Sequence, residues 1–191
     1  MVFFRIVVKF DGPLEIKELP LGRLVNLYVD ICLLRAGPQD LPASLFLVLL
    51  TGVISVLTGT LVIVESFATL GDALAAQLLD ILLLLGFLRL ALQRTGKPER
   101  FLQTTSALFG TGVLLNLIMM PLQLLEPTDT SGFGISNLGG LFYLLLILWA
   151  LVITGHIFRQ ALEVRMAAAI AIALGYFLAV DAIVQKLFVV G

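Results

Sequence analysis

The feature that most limits what this chain can fold into is the run Leu70 to Leu92, apolar except for breaks such as Asp72, Gln77, Asp80 and Arg89. It ends in a basic turn, Gln93-Arg94-Thr95-Gly96-Lys97-Pro98-Glu99-Arg100. Crossing a hydrocarbon core of roughly 30 Å takes about 20 apolar residues, so the run has the length and character of a membrane span. Lys and Arg crowd the cytoplasmic side of short loops, and Arg94, Lys97 and Arg100 therefore mark a turn that faces the cytoplasm.

Composition agrees with lipid as the solvent. The chain is 60% hydrophobic and 13% charged, whereas soluble domains are roughly 45–50% apolar. A net charge of -1 provides no basic footprint, so nucleic acid is excluded as a partner. The single cysteine, Cys32, cannot form an internal disulfide and reads as an apolar helix residue. The first residues are apolar but carry Arg5 and Lys9, and no small-residue cleavage site follows, so no removable signal peptide is expected.

Along the chain, residues 1–20 form an N-terminal extension with period-two alternation at Phe4, Ile6, Val8 and Phe10, the pattern of a short strand. Residues 21–40 follow as an amphipathic helix and turn. Leu24, Val25, Leu27, Tyr28, Ile31, Cys32 and Leu34 fall largely on one side, with Arg23, Asn26 and Asp30 on another. The reading is an interfacial helix on the membrane surface, ended by Ala36-Gly37-Pro38. Residues 41–191 then hold five spans: Leu45 to Val64, Thr69 to Gln93, Phe101 to Leu125, Leu138 to Ala161 and Met166 to Val190. The expected fold class is an all-α polytopic bundle of five transmembrane helices. Basic residues occur on alternate connections, at Arg35, at Arg94 to Arg100 and at Arg159 to Arg165, which places the N-terminus in the cytoplasm and the C-terminus outside. Lys186, near the outer end, is the one dissenter.

Small residues that let backbones approach mark helix contacts in lipid. Ala167, Ala171, Gly175 and Ala179 recur every fourth residue and predict a tight packing interface on the fifth span, either within the bundle or with a partner. Pro121 predicts a bend near the outer end of the third.

Chemistry is sparse. There is one histidine, so no zinc-type pair exists, and Gly96-Lys97 lacks the preceding glycines of a phosphate loop; neither cofactor nor metal is expected. His156, Arg159 and Glu163 share a helical face near the cytoplasmic end of the fourth span. With Arg94, Lys97 and Arg100, His156 and Arg159 are candidates for contact with lipid headgroups or a partner. Asp80 and Asp181 lie deep in their spans, about 15 Å from the outer surface, and Asn116 is near that level. Ionisable side chains at such depth face the bundle interior or one another, so these three form a candidate intramembrane polar cluster. It reads either as a hydrogen-bonded structural pair or as a proton or ion relay.

The order of features resembles a family. Five closely spaced spans, the Gly96 to Thr105 turn Gly-Lys-Pro-Glu-Arg-Phe-Leu-Gln-Thr-Thr, and a Trp149-bearing fourth span before a small-residue fifth are similar to the Yip-type membrane proteins, the Ypt/Rab-interacting family and its bacterial relatives. In eukaryotes the resemblance implies organisation of membrane traffic by binding prenylated GTPases and one another; it implies no catalytic residue. The expected function is thus a non-enzymatic scaffold or accessory subunit of the bacterial inner membrane, with membrane lipid and other integral membrane proteins, or copies of itself, as partners. A small transporter or ion or proton channel using Asp80 and Asp181 is the alternative. A lipid-directed enzyme, with His156 and Arg159 as its only handles, comes third.

Overall fold

The computed structural model describes residues 21–123 and 135–188. The strand expected in residues 1–20 lies outside them, as does most of the connection between the third and fourth spans. The helices are α1 (Leu21–Cys32), α2 (Leu45–Ile63), α3 (Leu70–Arg94), α4 (Phe101–Gln123), α5 (Ile135–Leu162) and α6 (Met166–Phe188). Short 3-10 turns at Pro38–Asp40, Val64–Ser66 and Pro98–Arg100 join them. Among the described residues, five helices are long and apolar enough to cross a membrane. The chain is a multi-pass membrane protein with an all-α bundle.

Local chemistry sets where helices begin and end. The Ser44 hydroxyl accepts from the Leu47 amide and starts α2. Thr69 starts α3 by accepting from the Asp72 amide at 3.1 Å, and its hydroxyl donates to the Asp72 carboxylate at 2.7 Å. Asp72 is therefore a capping residue outside the apolar interior. Helix α1 ends before Gly37, because Leu34 turns left-handed at φ 61° and the Arg35 amide donates back to the Asp30 carbonyl at 2.8 Å. Within the spans, Thr51, Thr58 and Thr111 donate to carbonyls four residues earlier, so their hydroxyls are satisfied on their own helices.

The connections carrying Arg35, Arg94 to Arg100 and Arg159 to Arg165 meet at one end of the bundle, here the basic end. At the opposite end Phe67 packs edge-on against Phe188, with ring centroids 6.1 Å apart. Helix α2 lies along α4 and α5 along α6, with α3 touching α2, α4 and α6. Both apolar clusters belong to the basic half. One joins Leu88 and Leu92 of α3, Phe158 and Leu162 of α5, and Ala169 and Ala173 of α6. The other joins Tyr28 and Ile31 of α1, Leu41, Ala107 of α4, and Ile153 and Ile157 of α5.

One expectation is corrected here, and a second is narrowed to one of its two forms. Helix α1 does not spend its apolar face on the headgroup boundary: Leu24, Tyr28 and Ile31 are buried, Tyr28 and Ile31 against α4 and α5, while Val25, Val29 and Leu33 point outward. The Tyr28 hydroxyl and the Ser106 hydroxyl are 2.7 Å apart. The predicted packing stripe also faces away from the bundle. Ala167, Ala171, Gly175 and Ala179 are all exposed, and a Cβ on Gly175 would meet nothing within 4 Å. Helix α6 packs instead through Ala169, Ala173 and Tyr176, two residues out of phase and hence on roughly the opposite side of the helix.

Candidate functional site

The packed half ends where Tyr176 and Asp80 meet. Thr69 starts α3, and one face of that helix presents Ala73, Ala76, Gln77 and Asp80 at spacings of three and four towards its neighbours. Tyr176 closes the buried face of α6, stacked 5.3 Å from the Phe87 ring. Its hydroxyl lies 3.0 Å from Asp80 Oδ1, to which it donates, and 3.2 Å from the Asp80 carbonyl oxygen. The Asp80 carboxylate thereby has one described donor and retains open acceptor positions.

Two cavities adjoin that carboxylate. An inner one of about 240 Å³ is lined by Ser55, Gln77, Asp80, Phe109, Asn116 and Tyr176 among others. A groove of about 630 Å³ towards the opposite end is lined by Ser66, Phe67, Gln77, Asp80, Asp181 and Gln185 among others. Gln77, Asp80 and Phe177 border both. Gly59 is what admits the Gln77 side chain, because a Cβ there would collide with its amide. The space follows from packing: small residues on α2 and α3 close that seam, while α4, α5 and α6 have few buried residues beyond the level of Tyr176.

The polar cluster read from the sequence is therefore divided. Asp80 shares the inner cavity with Asn116 and the groove with Asp181, but the two aspartates do not pair. Asp181 is exposed at the groove, where both its carboxylate oxygens accept from Gln185 of its own helix, at 3.1 and 3.0 Å. Asn116 donates to the Thr58 hydroxyl at 3.3 Å. Gln77 follows from the sequence on second reading, since it precedes Asp80 by one helical turn. Tyr176 had no such signal, because its partner is 96 residues away.

At the basic end the candidate contact residues also separate. His156 is buried and no headgroup ligand: its Nε2 is 3.0 Å from the Ala36 carbonyl oxygen and 2.8 Å from the Gln160 amide, which ties α5 to the α1–α2 connection. Arg159 is exposed and does not pair with Glu163. Glu163, in the left-handed region at φ 55°, instead bridges Lys97 and Arg100, the latter at 2.7 Å. Arg100 also donates to the Gln160 carbonyl at 3.0 Å. Arg94 and Arg159 remain outward-facing.

Hydrogen bonding to Lys97 first, and to Arg100 second, holds the Glu163 carboxyl below its ordinary value of 4.5. A depressed carboxyl favours the folded state above its unfolded pKa, and that contribution disappears as pH falls through the folded value. The protection factors of the amides in residues 95–100 and 163–165, which correct for the intrinsic slowing of exchange in acid, should therefore fall once pH drops below about 4.5, and Glu163→Gln should show the lower protection already at neutral pH. Equal protection in both proteins at pH 7 would show the bridge to be inert, as many exposed ion pairs are.

Among the described residues no group of three His, Cys, Asp or Glu side chains could hold a metal ion. Comparison with family models, curated proteins and solved structures finds no match for this chain. Its function has to be reasoned from the site.

Proposed function

We propose that this protein binds a small solute within the bilayer at Asp80 and acts, without catalysing a reaction, as a compact carrier or solute-responsive membrane subunit. What carries the reading is that a half-buried carboxylate in the middle of a spanning helix borders two cavities at once. An intramembrane ionisable group of this kind marks a solute or ion route more often than a packing role. The basic end would face the cytoplasm of a bacterial inner membrane, so the larger groove would open towards the outer leaflet.

Two measurements test this. In a Cys32→Ser background, Gln77→Cys should react with a small membrane-impermeant thiol reagent, while Leu82→Cys, on an exposed apolar position of the same helix, should not. An unreactive Gln77→Cys would remove the solute reading. Reporter fusions after Gly96 and after Gly191 should fall on opposite sides of the membrane, with Gly96 in the cytoplasm; the same side for both would sink the topology, and Gly96 outside would invert the assignment of the groove.

A scaffold or accessory-subunit role is the second reading, favoured by α6, whose span is only 11% buried and carries the outward stripe Ala167, Ala171, Gly175 and Ala179. The Yip-type resemblance supports that role, with membrane proteins or a second copy as partners. Under this reading Gly175→Leu would release a partner from gently solubilised membranes without altering the fold.

A further inference from the structure

We propose that the solute class taken at Asp80 is a monovalent organic cation, an ammonium group carrying a compact apolar body; this rests on the solute-binding reading above. Charge comes first. Among the described residues, the side chains lining the inner cavity and the groove include two carboxylates, Asp80 and Asp181, and no Lys, Arg or His. A carboxyl group held away from bulk water either keeps its proton or is matched by a positive charge, and a cationic solute supplies that charge where, as in the inner cavity, only hydroxyl and amide groups accompany it. Asp80 has spent one oxygen on Tyr176, which leaves its other oxygen for N–H donors.

The neighbours fit such donors. Asn116 donates its amide nitrogen to Thr58, so its carbonyl oxygen is available as an acceptor, and Ser55 and Gln77 border the same space. An ammonium offers several N–H bonds and matches one carboxylate surrounded by neutral oxygens. A divalent metal would seek several anionic or imidazole ligands, and the inner cavity offers one carboxylate. Phe109, Tyr176 and Phe177 share the remaining wall with aliphatic residues such as Ile81, Leu84 and Met119, and aromatic faces attract organic cations while the aliphatic ones accept an apolar body. A bare proton would need neither a cavity of about 240 Å³ nor its aromatic lining.

The test uses the full chain in zwitterionic lipid nanodiscs, with hexylammonium, hexan-1-ol and hexanoate as probes of matched size. Thermal unfolding, followed by Trp149 fluorescence, reads binding. Hexylammonium should raise Tm in the wild type, and the other two probes should not. Asp80→Asn should weaken that effect by about tenfold or more, because a charge-assisted contact is lost, while Asp181→Asn at the groove should retain most of it. The three-probe comparison on wild-type protein remains decisive if Asp80→Asn fails to fold. Equal stabilisation by the alcohol, or preference for hexanoate, would overturn the cation assignment and leave a solute cavity in place. No response to any probe would also overturn it, and an unreactive Gln77→Cys would then take the solute reading with it.

Discussion

Gly155→Leu should be among the most damaging single substitutions in the bundle. A Cβ at position 155 would lie 2.8 Å from Ile170 Cγ1 and 3.3 Å from the Ile170 Cα, so α5 and α6 touch nearly backbone to backbone there. Alanine asks Ile170 to shift by a few tenths of an ångström. Leucine asks the helices to separate, which would pull apart the cluster that buries Phe158 of α5 with Ala169 and Ala173 of α6. Overpacking of this kind costs about 1–3 kcal/mol, and for a chain of this size each kcal/mol lowers Tm by about 2–4 °C. Gly175→Leu is the matched control, with open space around its Cβ and an expected change within about 0.5 kcal/mol. Equal losses for the two variants in detergent-solubilised protein would mean that α6 packs through the other face.

Gly110→Ala should detach α1. The new methyl would land inside the Tyr28 ring, which is buried between α1 and α4 and held by the Ser106 hydroxyl at 2.7 Å. A ring is stiff, so it must rotate out and take Leu24 and Ile31 partly with it. Amide exchange across residues 21–32 should rise strongly while α5 and α6 keep their protection. Tyr28→Phe removes only the hydroxyl contact and should cost about 1 kcal/mol. Unchanged protection of α1 in Gly110→Ala would show that Tyr28 has another place to go and that the helix is held elsewhere.

Asp80 and Asp181 stood out together in the sequence as ionisable groups deep in their spans, and the structure sets only Asp80 at the border of both cavities. What escaped was its company. Tyr176, on a different helix, looks from the sequence like one aromatic among many, and Gly59 like one more small residue in α2. Their roles exist only once α2, α3 and α6 converge. His156 was misplaced for the same reason: at a helix end it reads as a headgroup contact, yet the connection carrying Ala36 folds back over it.

The membrane spans and their capping signals were determined by the sequence alone, because the preference of an apolar stretch for lipid, and of Ser44 or Thr69 for a helix start, is settled within one segment. Rotation of those segments was decided only by the tertiary structure. Helix α6 has small residues on two sides, Ala167, Ala171, Gly175 and Ala179 on one and Ala169 and Ala173 on the other, and lipid tails give neither side a hydrophobic advantage. The choice fell to the side where Gly155 leaves room for Ile170 and where Tyr176 reaches Asp80, since close packing and a satisfied polar group are the forces that distinguish one face from another inside a membrane.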